Sequence, residues 1–188
     1  MLHPTFPFKS ERLIYRPVEA GDKQWLFDLR QDEAQMRYVP FGGESWEEMD
    51  EVVRKRMSLT KLEAPGDGIM CMTIDKASGA RAGEVMLRWP KELEGTGEVG
   101  FILHPDYQGK GFAHEGAQQM LRLGFEGAGF ERMIGICDPA NTASKGLLLR
   151  LGMAEDVALR DQMFEGEERE GSVVCAMLAE TWRAQPGS

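Results

Sequence analysis

Residues 98–128 read EVGFILHPDYQGKGFAHEGAQQMLRLGFEGA, and this stretch decides how we interpret the rest of the chain. Its first part, residues 98–103, is a short apolar run rich in β-forming residues, which predicts a strand. In its last part, residues 112–128, apolar and small residues recur at spacings of three and four, which predicts an amphipathic helix. A short loop that contains two glycines connects the strand to the helix.

This arrangement of strand, glycine loop and helix predicts an anion-binding site. The first N–H groups of a helix lack an intrahelical acceptor, and the helix dipole adds about half a positive charge there. Gly109 and Gly111 let the backbone approach a ligand closely. We therefore expect a phosphate or a diphosphate at this loop.

Three phosphate-binding motifs compete for the loop. A Walker A motif needs Ser or Thr where Gly111 stands, and a dinucleotide fingerprint needs a small residue where His114 stands. The third pattern, Gln/Arg-x-x-Gly-x-Gly/Ala, is matched in full by residues 108–113, QGKGFA. It is the coenzyme A pyrophosphate motif of the GCN5-related N-acetyltransferase (GNAT) family, which the chain resembles.

Composition and charge exclude several classes of protein. The 188 residues are 42% hydrophobic and 28% charged, and 22 basic against 31 acidic residues give a net charge of −9. An acidic chain argues against a dedicated nucleic-acid binder, and no apolar run is long enough to span a membrane. The three cysteines lie far apart without zinc-ligand spacing, and residues 1–8 lack the features of a signal peptide. We therefore expect a cytoplasmic protein with no metal, no nucleic-acid partner and no membrane partner.

The order of elements predicts one α/β (α+β) domain over residues 1–188, with a core of about 11–179 and flanking segments 1–10 and 180–188. Helices are expected to begin near Asp22, at the capping box Ser45–Glu48, and at 112 and 142. The predicted strands cover residues 12–16, 69–74, 82–89, 98–103, 132–137, 157–164 and 172–178. The resemblance implies that these strands, about seven in number, form a mixed, largely antiparallel twisted sheet. It also implies that the sheet is splayed at its centre, with helices on both faces.

A second signature narrows the resemblance. Asn141-Thr142-Ala143-Ser144, followed by Leu151-Gly152-Met153, is similar to the Asn-x-x-Ser and Leu-Gly-Phe ending of the RimJ/RimL-like branch, the ribosomal-protein N-terminal acetyltransferases. Met153 replaces the more usual Phe of this ending, which is a conservative apolar exchange.

The resemblance implies a set of residues that bind acetyl-CoA. Backbone N–H groups of the loop would hold the diphosphate, and the backbone of the preceding strand would pair with the pantetheine arm like an added strand. An N–H near Phe101 or Ile102 would polarise the thioester carbonyl. The implied cofactor-binding residues are Phe101, Ile102, Leu103, Gln108, Gly109, Lys110, Gly111, Phe112, Ala113, Asn141 and Ser144.

Glu98 is the leading candidate for the general base that takes a proton from the acceptor amine. A glutamate with a pKa of about 4.3 is a poor base for an ammonium, but partial burial raises such a pKa. A surface glutamate at a strand end is the alternative interpretation of Glu98. Glu84 and His104 are weaker candidates for the base.

Ser144 is the candidate proton donor to the leaving thiolate. Many family members use a tyrosine four residues before the glycine of Leu-Gly-Phe, but that position is Leu148 here. In the resembled branch, the serine of Asn-x-x-Ser lies near the sulfur, which points to Ser144. Asn141 and Ser144 could equally serve only to cap the helix that begins beside them.

We expect the acceptor pocket between residues 30–48 and 156–172. Asp161 and Glu165 could attract an ammonium there, or they could simply be solvated. The aromatic residues that could line this pocket, or could equally belong to the core, are Tyr38, Phe41, Trp46, Trp89 and Phe164.

We therefore predict an acetyl-CoA-dependent N-acetyltransferase that acts as a monomer or a homodimer. It would acetylate a primary amine, either a protein or peptide N-terminus or a small molecule, by direct attack in a ternary complex. The alternative is a regulatory module that binds acyl-CoA without transferring the acyl group.

Overall fold

A computed structural model describes residues 1–39, 41–164 and 171–185. Its strands are β1 (Phe8–Lys9), β2 (Leu13–Pro17), β3 (Thr60–Lys61), β4 (Gly68–Asp75), β5 (Arg81–Arg88), β6 (Thr96–Leu103), β7 (Arg132–Cys137), β8 (Ala154–Glu155) and β9 (Val173–Leu178). Its α-helices are α1 (Lys23–Gln31), α2 (Glu33–Met36), α3 (Glu48–Ser58), α4 (Phe112–Arg122), α5 (Thr142–Arg150), α6 (Val157–Phe164) and α7 (Ala179–Arg183). A π-helical segment, Leu123–Ala128, continues α4.

The strands form one open sheet in the order β1-β2-β4-β5-β6-β7-β9-β8, with β3 paired to β4. Within the described residues β6 and β7 pair in parallel, and every other neighbouring pair is antiparallel. This confirms the predicted mixed, largely antiparallel sheet. The described sheet has nine strands rather than about seven. Three of them are two-residue strands that no sequence pattern marks, and the other six match predicted strands, because the seventh predicted strand, 157–164, is a helix.

One face of the sheet carries the main core, which packs against α4. Val85 and Leu87 of β5 and Val99 of β6 are buried there with Ala117 and Met120 of α4. The strands bury these side chains in alternation because successive residues of a strand point to opposite faces.

The other face carries two separate apolar clusters. Met72 of β4 packs with Leu26 and Met49 of the N-terminal helices, and Ile134 of β7 packs with Leu159 of α6. Between these clusters lies what we call the central strip, the residues of β5 and β6 that face away from α4. They are Glu84, Met86, Arg88, Glu98, Gly100 and Ile102.

The strand predicted at residues 157–164 is wrong, because this segment is helix α6. The side chain of Asp156 accepts a hydrogen bond from the N–H of Leu159 at 2.9 Å, which caps the start of the helix. Leu159 and Met163, one helical turn apart, both pack on the cluster around Ile134. A helical spacing therefore underlies a segment that we interpreted as a strand.

The terminal segments predicted to flank the core belong partly to it. Leu2 forms a backbone bridge with Leu62, and Phe8 in β1 stacks on Tyr15 with ring centroids 4.9 Å apart. Trp182 of α7 is 2% exposed and stacks on Phe125. Part of the segment 1–10 therefore packs against the core.

Asp22 precedes α1 as predicted, but its side chain does not cap that helix. The buried carboxylate accepts two hydrogen bonds from Arg16 and one from Arg81, each at 2.7 Å. Burial alone would raise the pKa of Asp22. The hydrogen bonds from Arg16, from the N–H of Glu19 and from Arg81 outweigh burial and lower the pKa. Asp22 therefore ties the segment before α1 to β2 and β5.

The predicted capping box before α3 is confirmed. The N–H of Glu48 donates to Ser45 Oγ at 3.2 Å, and the N–H of Ser45 donates to Glu48 Oε2 at 2.7 Å. This reciprocal pair fixes the segment that leads into the helix over the central strip.

Candidate acetyl-CoA and acceptor site

The glycine loop has the geometry of an anion site. Gly109 and Gly111 adopt left-handed conformations, with φ of 69° and 82°, and Gly111 is the N-cap residue that directly precedes α4. A Cβ on Gly109 would meet nothing within 4 Å, whereas a Cβ on Gly111 would lie 3.2 Å from Arg12 Nη2. Glycine is therefore required here chiefly by the backbone conformation.

The start of α4 leaves its backbone donors free. No N–H group from Gly109 to Ala113 donates a hydrogen bond to an acceptor within the described residues, and no side chain caps the helix. Lys110 directs its ammonium to the carbonyl of Asp106 at 2.7 Å, and Gln108 donates to the carbonyl of Leu103 at 3.2 Å. Five consecutive N–H donors at a positive helix end fit a diphosphate.

Side chains of the N-terminal segment hold the loop from outside. Arg12 Nη1 donates to the carbonyl of Lys110 at 2.8 Å, and its guanidinium lies 4.3 Å from the ring centroid of Phe112. Glu115 accepts hydrogen bonds from Arg12 Nε and Arg12 N, each at 2.7 Å, and one from the hydroxyl of Ser10. The sequence patterns missed these contacts because they join residues about a hundred positions apart.

The sheet splits beside the loop. Only residues 96–98 of β6 pair with β7, opposite residues 132–134. β6 nevertheless continues to Leu103, and β7 continues to Cys137. β7 stays paired with β9 along its whole length, so the edge of β6 that faces β7 separates from it after Glu98. This is the splayed centre that the resemblance implies, and Phe101, Ile102 and Leu103 lie along the separated part of β6.

Helix α5 begins on the other side of the split. Because β6 and β7 are parallel, their carboxyl ends lie at the same edge, and α4 and α5 each follow one of them. Asn141 Oδ1 accepts a hydrogen bond from the N–H of Ser144 at 3.0 Å, so Asn141 caps α5 as predicted. The half-buried Ser144 has no hydrogen-bond partner for its hydroxyl within the described residues.

Glu98 lies at the point where the strands separate and belongs to the central strip. Its Oε2 accepts a hydrogen bond from Arg88 Nη2 at 2.8 Å, and its side chain is 14% exposed against 50% for Arg88. The two residues are direct cross-strand partners of β5 and β6. Sequence reasoning missed Arg88, since this pairing depends on the register of the β5–β6 hairpin.

Glu84, the weaker base candidate, is occupied by a second ion pair. Arg56 Nε of α3 donates to Glu84 Oε1 at 2.8 Å, and both side chains are largely buried. His104 Nδ1 accepts a hydrogen bond from the N–H of Asp106 at 3.3 Å and so caps a short 3₁₀ turn. Glu98 is therefore the more accessible of the two carboxylates in the central strip.

Phe41 and Tyr38 lie in the segment between α2 and α3. The guanidinium of Arg30 lies 4.5 Å from the centroid of the Phe41 ring, and that of Arg56 lies 5.8 Å from it. Phe41 is therefore close to the Arg56–Glu84 ion pair. Arg37 lies 5.4 Å from the ring of Tyr38. Arg30 is buried and ion-paired to Glu44, yet its Nη1 has no hydrogen-bond partner in the described structure.

The other aromatic candidates lie in different surroundings. Trp46 contacts Phe27 edge-on and has Lys23 Nζ 4.0 Å from its ring centroid. Trp89 packs edge-on against Phe130 in the core under α4, on the face of the sheet opposite Glu98. This position argues against Trp89 as an acceptor contact.

The expected pocket wall at residues 156–172 is described only in part. Phe164 is buried in the cluster of Ile134 and Leu159, which adjoins Glu98 through the pairing of β6 and β7. Asp161 is exposed and bonded to Arg160, and Glu165 lies outside the described residues.

The three cysteines are buried and unpaired. Burial raises the pKa of the Cys71 thiol to about 12 and, with a smaller effect of Cys175, that of Cys137 to about 11. Burial also raises the pKa of Cys175. Thiols in this state are protonated near neutral pH, so they are poor nucleophiles.

The described residues contain neither a candidate metal site nor a candidate membrane span. No group of three or more His, Cys, Asp or Glu side chains is arranged to hold a metal ion. No helix in the described ranges is both long and apolar enough to cross a membrane.

Comparisons with known proteins agree with this geometry. The family model described as "Acetyltransferase (GNAT) domain" matches residues 12–154. The uncharacterized N-acetyltransferase YnaD of Bacillus subtilis (strain 168) is 27% identical over 173 residues, which are 92% of this chain and 97% of YnaD. The solved GNAT-family acetyltransferase of Bacillus anthracis superposes with a TM-score of 0.75 at 26% identity, covering 93% of this chain and 99% of that one. The solved spermidine N-acetyltransferase of Vibrio cholerae, in complex with CoA and spermine, superposes with a TM-score of 0.71 at 20% identity. This match also covers 93% of this chain and 99% of that one.

Proposed function

Because the chain belongs to the GNAT family of acetyltransferases, we propose that it transfers the acetyl group of acetyl-CoA to a primary amine by direct attack in a ternary complex. The observation that carries this proposal is the row of free N–H donors from Gly109 to Ala113 beside the split between β6 and β7. A diphosphate and a flat amide-containing arm are the two chemical parts that such a loop and such a strand edge can hold.

The residues of the loop and of β6 bind and orient the donor in this proposal. N–H groups at the start of α4 hold the diphosphate, and the backbone of Phe101–Leu103 pairs with the amides of the pantetheine arm. The thioester supplies an activated acetyl group. An N–H near Phe101 or Ile102 stabilises the negative charge that develops on the carbonyl oxygen.

Glu98 and Ser144 move the protons. Glu98 accepts a proton from the acceptor ammonium, directly or through a water, so that a neutral amine can attack. As the N–C bond forms and the C–S bond breaks, the attacking nitrogen loses a second proton. Ser144 donates its hydroxyl proton to the departing thiolate and takes up this second proton in return, so the hydroxyl is restored. Asn141 keeps Ser144 in place by capping α5. The buried, protonated cysteines support a route without an acyl-enzyme.

The Asn141–Ser144 signature supports a place in the RimJ/RimL-like branch, with a protein or peptide N-terminus or a small amine as acceptor. We further propose that the chain is one acetyltransferase domain that works in the cytoplasm as a monomer or homodimer without a metal.

The direct test of this function is release of the coenzyme thiol from acetyl-CoA in the presence of a panel of amines. The Glu98→Gln variant keeps an acceptor for the Arg88 hydrogen bond but loses the base, so we expect kcat to fall about 100-fold with an unchanged Kd for acetyl-CoA. The control is Glu51→Gln on the exposed face of α3, which should be fully active. Full activity of Glu98→Gln would exclude the base role. Tight acetyl-CoA binding without thiol release from any amine would favour the regulatory binding module.

A further inference from the structure

The Arg88–Glu98 pair is an incompletely satisfied ion pair at the open part of the central strip. Arg88 is half-exposed and donates through Nη2 to Glu98 at 2.8 Å. Within the described residues this is its one hydrogen bond, so Nε, Nη1 and the second N–H of Nη2 have no protein acceptor. Nη2 can therefore still form a two-pronged edge with Nε or with Nη1, and such an edge binds a carboxylate through two parallel hydrogen bonds.

The charges of the central strip cancel when Arg56 of α3, which pairs with it, is included. Glu84, the other carboxylate on this surface, is engaged by Arg56, and both side chains are largely buried. Within the described part of the strip, every carboxylate therefore has an arginine partner. A polyamine would find no unpaired carboxylate there for its second ammonium group, whereas an acceptor that carries one positive and one negative group matches the strip in charge.

We propose that the acceptor is a small zwitterion of the amino-acid type, whose carboxylate binds Arg88 while its amine lies beside Glu98. The inference rests on the proposed function and names the substrate class for the same site. Because Arg88 and Glu98 touch each other, the two groups that they bind must be only a few bonds apart, as in an α- or β-amino acid.

Binding of such an acceptor exchanges partners in the strip. Its carboxylate takes over the guanidinium of Arg88, and its ammonium takes the place of Arg88 beside Glu98. Glu98 can then accept the proton that the ammonium gives up. A mono-amine without a carboxylate must compete with Arg88 for Glu98 and gains no partner for the arginine, so Arg88 selects the acceptor.

The experiment compares acceptors that differ only in the carboxylate. Thiol release is measured with a set of free amino acids, with the corresponding amino-acid amides and with spermidine. We expect kcat/KM for at least one free amino acid to exceed that of its amide by about tenfold or more, as the gain of a charged hydrogen-bonded pair implies. In Arg88→Gln this preference should fall to less than about threefold, mainly through a higher KM for the free acid.

Two controls keep the test decisive. Arg54 is exposed on α3 and paired with Glu51, so Arg54→Gln removes the same charge away from the strip and should keep the preference. Arg88→Lys keeps the charge without the planar fork, and we expect it to retain part of the preference. An unchanged Kd for acetyl-CoA in Arg88→Gln shows that the variant is folded.

The outcomes separate this inference from the proposed function. Equal or better turnover of amides, or a preference for spermidine, overturns the zwitterion proposal but leaves the acetyltransferase intact. A preference for free acids that survives in Arg88→Gln overturns the role of Arg88. Absence of thiol release with every amine overturns the proposed function itself.

Discussion

Two helices, α4 and α5, begin at the split between β6 and β7. A side chain caps the first N–H groups of α5, whereas those of α4 are uncapped. At α5 the side chain of Asn141 accepts a hydrogen bond from the N–H of Ser144 at 3.0 Å. At α4 the N-cap residue is a left-handed glycine, no side chain caps the helix, and the N–H groups of Gly109–Ala113 have no acceptor in the described residues. Both helices follow parallel strands and start at the same edge of the sheet.

This difference indicates which helix start has backbone N–H groups available to bind a ligand. A capped start stabilises the fold by itself, because the cap replaces water as the acceptor. An uncapped start that is held in place by Arg12 and Glu115 keeps rigid donors available for a ligand. The following predictions test this contrast between a structural and a binding helix start.

The largest effect is expected from Gly109→Asp. The substitution brings a carboxylate to the free donors of α4, so we expect the Kd for acetyl-CoA, measured by calorimetry, to rise about 100-fold, or about 2.7 kcal/mol. Gly129→Asp is the matched control, since Gly129 has a φ of 74° and, like Gly109, open space around its missing Cβ. Equal affinities of the two variants would contradict a diphosphate at the loop.

A smaller effect on affinity is expected from Arg12→Gln. This change removes the hydrogen bond to the carbonyl of Lys110 and the ion pair with Glu115, so the loop loses its outer support. We expect the Kd for acetyl-CoA to rise about tenfold. Arg12→Lys keeps the charge but cannot contact both acceptors in the same way. Wild-type affinity of Arg12→Lys would mean that charge, and not loop position, is what Arg12 contributes.

Asn141→Ala should act on stability. Loss of the cap on α5 is expected to lower the free energy of unfolding in urea by about 1 kcal/mol, whereas Asn141→Ser, which can still cap, should lose much less. If Asn141→Ala unfolds at the wild-type midpoint, the cap is not what stabilises α5.

The smallest effect concerns acid stability at the start of α4. Burial would raise the pKa of Glu115, but hydrogen bonds from Ser10 and Arg12 outweigh burial and lower it. The contribution of ionised Glu115 to the free energy of unfolding is therefore fully present above its unfolded-state pKa of about 4.3. It is lost as the pH falls through the lower folded-state pKa. Urea unfolding at stepwise lower pH should show a shallower loss of stability in Glu115→Gln than in the wild type. Parallel curves would mean that Glu115 gains nothing from these contacts.

Local patterns sufficed to predict the strand, loop and helix of residues 98–128. Glycines that precede an amphipathic pattern indicate a helix start independently of the tertiary fold. The Asn141 cap and the Ser45–Glu48 capping box are also formed by residues close together in sequence. The sheet class followed from the resemblance that these motifs carry.

Segments decided by tertiary packing were not predicted. Residues 157–164 were interpreted as a strand, and only the position of Asp156 and the four-residue spacing of Leu159 and Met163 point to a helix. The Arg88–Glu98 pair depends on hairpin register, and Arg12 reaches Glu115 across 103 positions. Such contacts leave no mark in a single sequence.

The shielded state of the three native cysteines also makes the chain a convenient host for spectroscopic labels. With Cys71 and Cys137 protonated and enclosed, a maleimide dye should react selectively with one new cysteine at an exposed site, for example Ser78→Cys in the β4–β5 turn. Fluorescence from such a probe would follow donor binding in real time without removing any natural thiol.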